Sequence, residues 1–66
     1  MDKSELGRII KQRRNLLKIT QKDLSEISGV TLRKLSDIEN GIANPTLDTL
    51  VKVMDALGLL LDIKVK

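Results

Sequence analysis

Three glycines divide this chain into blocks too short to bury an apolar face alone. Gly29, Gly41 and Gly58 each close a run whose apolar residues recur at helical spacing, and glycine adopts the left-handed backbone of a helix end most cheaply. Thr20, Thr31 and Thr46 stand ahead of those runs, as hydroxyl caps for helix N-termini. A first helix is expected from about Ser4 to Leu17, with Leu6, Ile9, Ile10, Leu16 and Leu17 as its apolar positions. Thr20-Gln21-Lys22-Asp23 opens a second helix, whose inward stripe is Leu24 and Ile27. Leu35 and Ile38 face inward from a third, which Asn40-Gly41 stops. Leu47, Leu50, Val51, Met54 and Leu57 give a fourth its apolar face. The class expected is all-α, a compact bundle of four to five helices.

With 66 residues the chain is read as one domain, and one this small buries only ~60% of its extended surface. Small scaffolds commonly need a disulfide, a metal or a second copy. There is no Cys and no His, which excludes disulfides and the usual zinc ligands and leaves oligomerisation. No metal or cofactor is expected. No apolar run approaches the ~18 residues of a membrane span. Met1-Asp2-Lys3-Ser4-Glu5 is polar and acidic, unlike a signal peptide, so a cytoplasmic protein without membrane association is expected. Aromatic residues are absent, which argues against single-strand binding on stacking platforms.

Beyond Gly58 the period changes. Leu59, Leu61, Ile63 and Val65 alternate with Leu60, Asp62, Lys64 and Lys66, which is strand spacing. One strand on a helical domain leaves unsatisfied amides. The same strand from a second copy would pair with it as an antiparallel ribbon across a two-fold axis. The expected division is therefore a domain over 1–58 and a dimerisation strand over 59–66, with Leu59, Leu61, Ile63 and Val65 as its contact residues. A frayed tail is the alternative.

Charge placement points toward a partner. Arg8, Lys11, Arg13, Arg14, Lys18 and Lys22 lie between Leu6 and Lys22 without an intervening acid. Such a segment can meet a phosphate backbone and release counterions; it is equally what a solvated helix face looks like. Two short helices separated by Gly29-Val30 fit a helix-turn-helix unit, whose second helix enters the DNA major groove. Ser25 supplies the small residue at the steep crossing and Gly29 the permissive turn, while Leu24, Val30, Leu35 and Ile38 are spaced to knit both helices to a core.

The stretch Thr20-Gln21-Lys22-Asp23-Leu24-Ser25-Glu26-Ile27-Ser28-Gly29-Val30-Thr31, continued by Ser36-Asp37-Ile38-Glu39-Asn40-Gly41, resembles the Xre/Cro-type repressors. Leu6-Gly7, Asn44-Pro45-Thr46-Leu47-Asp48-Thr49-Leu50 and Ala56-Leu57-Gly58-Leu59 extend the likeness over nearly the whole chain. The resemblance implies a lambda-repressor-like fold and a repressor that binds double-stranded DNA as a homodimer. It implies base reading by Thr31, Leu32, Arg33, Lys34 and Asp37, and phosphate contacts from Arg14, Thr20, Gln21 and Asn40. It also implies an ion pair between Arg14 and Glu39, joining helix one to the recognition helix. Arg33 is the strongest reader of these, since a guanidinium grips guanine by two hydrogen bonds worth roughly 1–3 kcal/mol of discrimination. Thr31 or Leu32 suits a thymine methyl, and Asp37 a cytosine amino group. Thr31 as a mere cap, Leu32 as a core or protein-contact residue and Asp37 as a solvated charge stay open.

Ser28 and Arg13 depart from the family pattern, which favours apolar residues there. At Ser28 either looser packing or a local hydrogen bond is expected, and the Arg13 stem is expected to pack with its head in solvent. The alternating tail is similar to that of HipB-type antitoxins. That likeness implies an autorepressing antitoxin with a HipA-type kinase toxin as partner, although stand-alone regulators share most of these residues. A second class of function is a protein adaptor using the same fold. Enzymatic chemistry is not expected: the nine carboxylates are dispersed among Lys and Arg, with no His, Cys or Tyr and no glycine-rich phosphate loop.

Overall fold

A computed structural model describes residues 1–66. It contains four helices, α1 (Lys3–Leu16), α2 (Gln21–Ser28), α3 (Leu32–Glu39) and α4 (Leu47–Ala56). Each begins at a side-chain cap that takes one of the amides a helix start leaves orphaned. Asp2 caps α1 by accepting from the Glu5 amide at 2.9 Å. Thr20 and Asp23 cap α2 reciprocally, at 3.0 and 2.9 Å. Thr31 caps α3 and Thr46 caps α4.

The C-terminal ends follow a shared plan. After α3 the Ile42 amide reaches the Asp37 carbonyl and Gly41 reaches Ile38; after α4 Leu59 reaches Met54 and Gly58 reaches Asp55. Both are Schellman closures around a left-handed glycine. The end of α1 has the same bonds, Ile19 to Arg14 and Lys18 to Asn15. Its left-handed residue is Lys18, at φ 58°, where glycine would be at ease.

The core gathers Ile10, Leu24, Val30, Leu35, Ile38, Val53 and Leu57. α3 packs on α1 and α2, and α2 also packs on α4. Only part of the expected apolar stripes is inside. Ile27, Leu16 and Leu47 lie exposed, whereas Val53 is fully buried. α4 is rotated so that Val53, rather than Leu47 or Val51, faces the core.

Residues 59–66 correct a further expectation. They form no strand in the single chain, because a strand exists through its ladder partner and this chain pairs none with it. Leu59 packs against the core and Leu61 is half-exposed, while Ile63 and Val65 stand in solvent.

Candidate nucleic-acid interface

The turn between α2 and α3 is stitched by serines. Ser25 Oγ donates to the Val30 carbonyl at 2.6 Å, and Ser28 Oγ donates to the Leu24 carbonyl at 2.6 Å while accepting from the Val30 amide. Ser28 thus serves the turn through its hydroxyl where an apolar side chain would serve it by packing. Gly29 takes φ 75° at the end of α2.

α3 then divides into two faces. Leu35, Ile38 and Glu39 turn inward. Leu32, Arg33 and Asn40 are exposed, with Ser36 and Asp37 partly so on the same side. Arg33 has 90% of its side chain in solvent, and its Nε stands 3.9 Å from Asp37 Oδ2 one turn on. Lys34 is also exposed; its amide donates to Thr31 Oγ1, so Thr31 acts as cap within the free protein. Asn40 Nδ2 lies 3.4 Å from Ser36 Oγ. Ser36 was not among the expected site residues, although its spacing four from Leu32 and from Asn40 puts it on this face.

Glu39 anchors the unit to α1. Arg14 grips it with two parallel bonds, Nε to Oε2 at 2.8 Å and Nη2 to Oε1 at 2.9 Å, and its Nη1 donates to the Ile19 carbonyl at 3.0 Å. The side chains retain only 11% and 2% of their exposure. Burial on its own would raise the Glu39 carboxyl; hydrogen bonds from Arg14 and Gln21, with the charges of Arg14 and Lys11, outweigh it and hold the carboxyl below its ordinary range. The Glu39 hydrogen bond outweighs burial at Arg14 and holds the guanidinium protonated.

Gln21, the first residue of α2, donates from Nε2 to Glu39 Oε1 at 3.2 Å. The start of α2 and the end of α3 are therefore tied to one carboxylate. Thr20 is exposed, its hydroxyl engaged in capping. Of the basic segment, Arg8, Lys11, Lys18 and Lys22 are exposed, while Arg13 and Arg14 work inside. Arg13 differs from expectation, because its head does not simply reach solvent. Its Nε donates to the Leu57 carbonyl at 2.8 Å and so satisfies a carbonyl at the end of α4.

Residues 10–63 match the model of a helix-turn-helix family. The chain belongs to the Xre/Cro-type helix-turn-helix family. A Haemophilus influenzae protein named an uncharacterized HTH-type transcriptional regulator is 44% identical to this family member over 50 residues. The match covers 76% of the chain, which spans about half (51%) of that relative's length. Within the family frame, α2 and α3 are the two helices of the motif. No helix is long and apolar enough to cross a membrane.

Proposed function

We propose that the chain is a DNA-binding transcription regulator, a repressor that occupies a palindromic operator as a homodimer. The observation that carries this reading is the outward face of α3, with Leu32, Arg33, Lys34 and Asp37 free of the core on a helix fixed through Glu39. In this reading Arg33 reads guanine, Thr31 and Leu32 meet a thymine methyl, and Asp37 selects cytosine or repels phosphate. Gln21, Thr20 and Asn40 hold phosphates at the two ends of the motif, and Arg14 supports them from behind. Residues 1–58 form the DNA-binding domain. Residues 59–66 pair with a second copy, through Leu59, Leu61, Ile63 and Val65. The site of action is cytoplasmic and involves no catalytic step.

Selection from a random duplex pool at two salt concentrations tests this reading. Recovery of an inverted repeat, with half-sites about 34–36 Å apart and binding that weakens steeply with salt, is the expected result. No enrichment at either salt overturns it. The half-exposure of Leu32, 49% on the reading face, favours a second reading, a protein adaptor with little DNA affinity. The salt slope separates the two, since an adaptor has no counterions to release. A narrower form of the first reading is an autorepressing antitoxin whose partner is a HipA-type toxin; co-purification with such a kinase supports it, and failure to bind any co-encoded protein removes it.

A further inference from the structure

The outward reach of the C-terminal residues and the order of their charges carry one more step, which rests on the homodimer reading above. An open apolar groove of about 630 Å³ runs between α1, α4 and the tail, with Leu6, Ile9, Leu50 and Met54 among its lining residues. Leu59, Leu60, Leu61 and Asp62 also line it. Of these leucines, Leu59 is half-buried and Leu61 is 48% exposed against 91% for Leu60, whereas Ile63 and Val65 continue the odd-numbered series with 88% and 100% of their surface in solvent. The odd-numbered side chains therefore begin as the better-covered ones at the groove and run off it into solvent. The even-numbered positions carry Asp62 and Lys64, which pair only with each other at 3.6 Å.

We propose that the groove is covered by a second copy of this chain in one defined register, with the two-fold axis of an antiparallel ribbon passing through Ile63. The charges decide the register. Residues directly opposite in an antiparallel pair share a face of the ribbon. With the axis at Ile63, Asp62 faces Lys64 of the second copy and Lys64 faces its Asp62, while Leu61 faces Val65 and Ile63 faces Ile63. An axis at Asp62 sets Asp62 against Asp62, an axis at Lys64 sets Lys64 against Lys64, and an axis at Val65 sets Lys64 against Lys66. Like charges directly opposite are unfavourable. An axis at Leu61 draws in Gly58 and Leu59, whose amides already close α4. A slip by one residue sets apolar positions opposite polar ones throughout.

In the Ile63 register every odd side chain of both tails lies on one face. Leu61 turns that face toward the groove of its own domain, so both domains sit on the same side of the ribbon. Val65 of the second copy comes to lie beside Leu61, over the groove mouth. The alternating charges are left on the outer face, in water.

The chain has no cysteine, so single replacements report the register directly. Asp62→Cys, Ile63→Cys and Lys64→Cys are oxidised in the full chain and run without reductant, with helicity checked by circular dichroism. Ile63→Cys is expected to cross-link to itself in high yield and the other two poorly, because only residue 63 meets its own copy. Dominant cross-linking at 62 or 64, or none at any position, overturns the register. Charge reversal gives a second reading by sedimentation. Asp62→Lys or Lys64→Asp turns two attractive cross-strand pairs repulsive and is expected to weaken dimerisation about ten-fold, whereas the exchange of both residues together restores it. Failure of the exchange to restore counts against the pairing. An inverted repeat recovered from the duplex pool without cross-linking at 63 leaves the regulator reading intact and removes this register; cross-linking at 63 without duplex enrichment does the reverse.

Discussion

Gly7 of α1 rests directly on the backbone of Ile38 at the end of α3. A Cβ at position 7 would collide with the Ile38 carbonyl oxygen and come within 2.7 Å of that of Glu39. The obstruction is backbone, so no rotamer change relieves it. This close approach brings Arg14, two turns along α1, level with Glu39.

Gly7→Ala is therefore expected to destabilise the protein, even though alanine is the better helix former. Overpacking costs about 1–3 kcal/mol, against a total that for small domains is often near 5 kcal/mol. Urea unfolding followed by circular dichroism should show the midpoint falling. An unchanged or higher midpoint would mean that the two helices can separate without cost.

The Arg14–Glu39 pair makes a larger demand. Removing one partner of a buried pair strands the other charge, at about 3–5 kcal/mol. Arg14→Met should accordingly lose most of the cooperative unfolding transition at neutral pH. Glu39→Gln keeps a hydrogen-bonding group beside Arg14 and Gln21 and should lose less. Equal, small losses in the two variants would place this carboxylate in a wetter setting than its 2% side-chain exposure indicates.

Stability should also depend on acid in a way that Glu39 controls. Its carboxyl is held below the ordinary value of 4.5, so the unfolded chain takes up a proton before the folded one does. The contribution is fully present above the unfolded value and is lost as pH falls through the folded value. Asp23 is shifted the same way by its hydrogen bonds with Thr20 and contributes equally to wild type and variant. Urea midpoints from pH 7 to pH 3 should thus fall more steeply for wild type than for Glu39→Gln, and parallel curves would exclude Glu39 as the source.

The features legible in the sequence are those decided within a few residues. Thr20, Thr31 and Thr46 cap their helices, and Gly41 and Gly58 take the left-handed position after α3 and α4, because cap and turn chemistry is local. Gly7 and Arg13 act on partners 31 and 44 positions away, and nothing beside them in the sequence marks the meeting. Helical period located an apolar face on α4 but not its rotation, which packing against α2 sets in favour of Val53. The alternation at 59–66 describes which side chains share a face; whether they form a strand depends on a second chain. The outward face of α3 lay between these cases. Helical spacing from Leu32 to Asn40 marks which residues share it, while the tether of Gln21 to Glu39 came only with the tertiary structure.

The end of α1 offers a stabilising change. Lys18 holds a left-handed backbone that costs an L-residue about 1–2 kcal/mol, offset in part by the extra freedom glycine has when unfolded, about 0.5–1 kcal/mol. Lys18→Gly should raise stability by a few tenths of a kcal/mol to about 1 kcal/mol. Because Lys18 is an exposed cation beside the start of α2, the same change also reports on phosphate contact. Weaker duplex binding at low salt with a higher unfolding midpoint would separate its electrostatic role from its backbone strain.

The polar side chains of the motif differ in how firmly the fold holds them. Arg33 is solvent-exposed and held only loosely by Asp37 at 3.9 Å, so it can leave that contact for a base edge at little cost. Arg33→Ala should relax preference at one base position in each half-site and cost about 1–3 kcal/mol there. Asn40→Ala, at the end of the same helix, should weaken all duplexes alike and leave the preferred sequence unchanged. Gln21→Ala should behave like Asn40→Ala in binding but also lower the unfolding midpoint, since its amide is one of the bonds on the buried carboxylate. Competition binding against single-base variants of the selected site, paired with urea unfolding, separates the three outcomes. A uniform loss from Arg33→Ala would reassign that side chain from base to backbone and move the burden of reading to Leu32, Lys34 and Asp37.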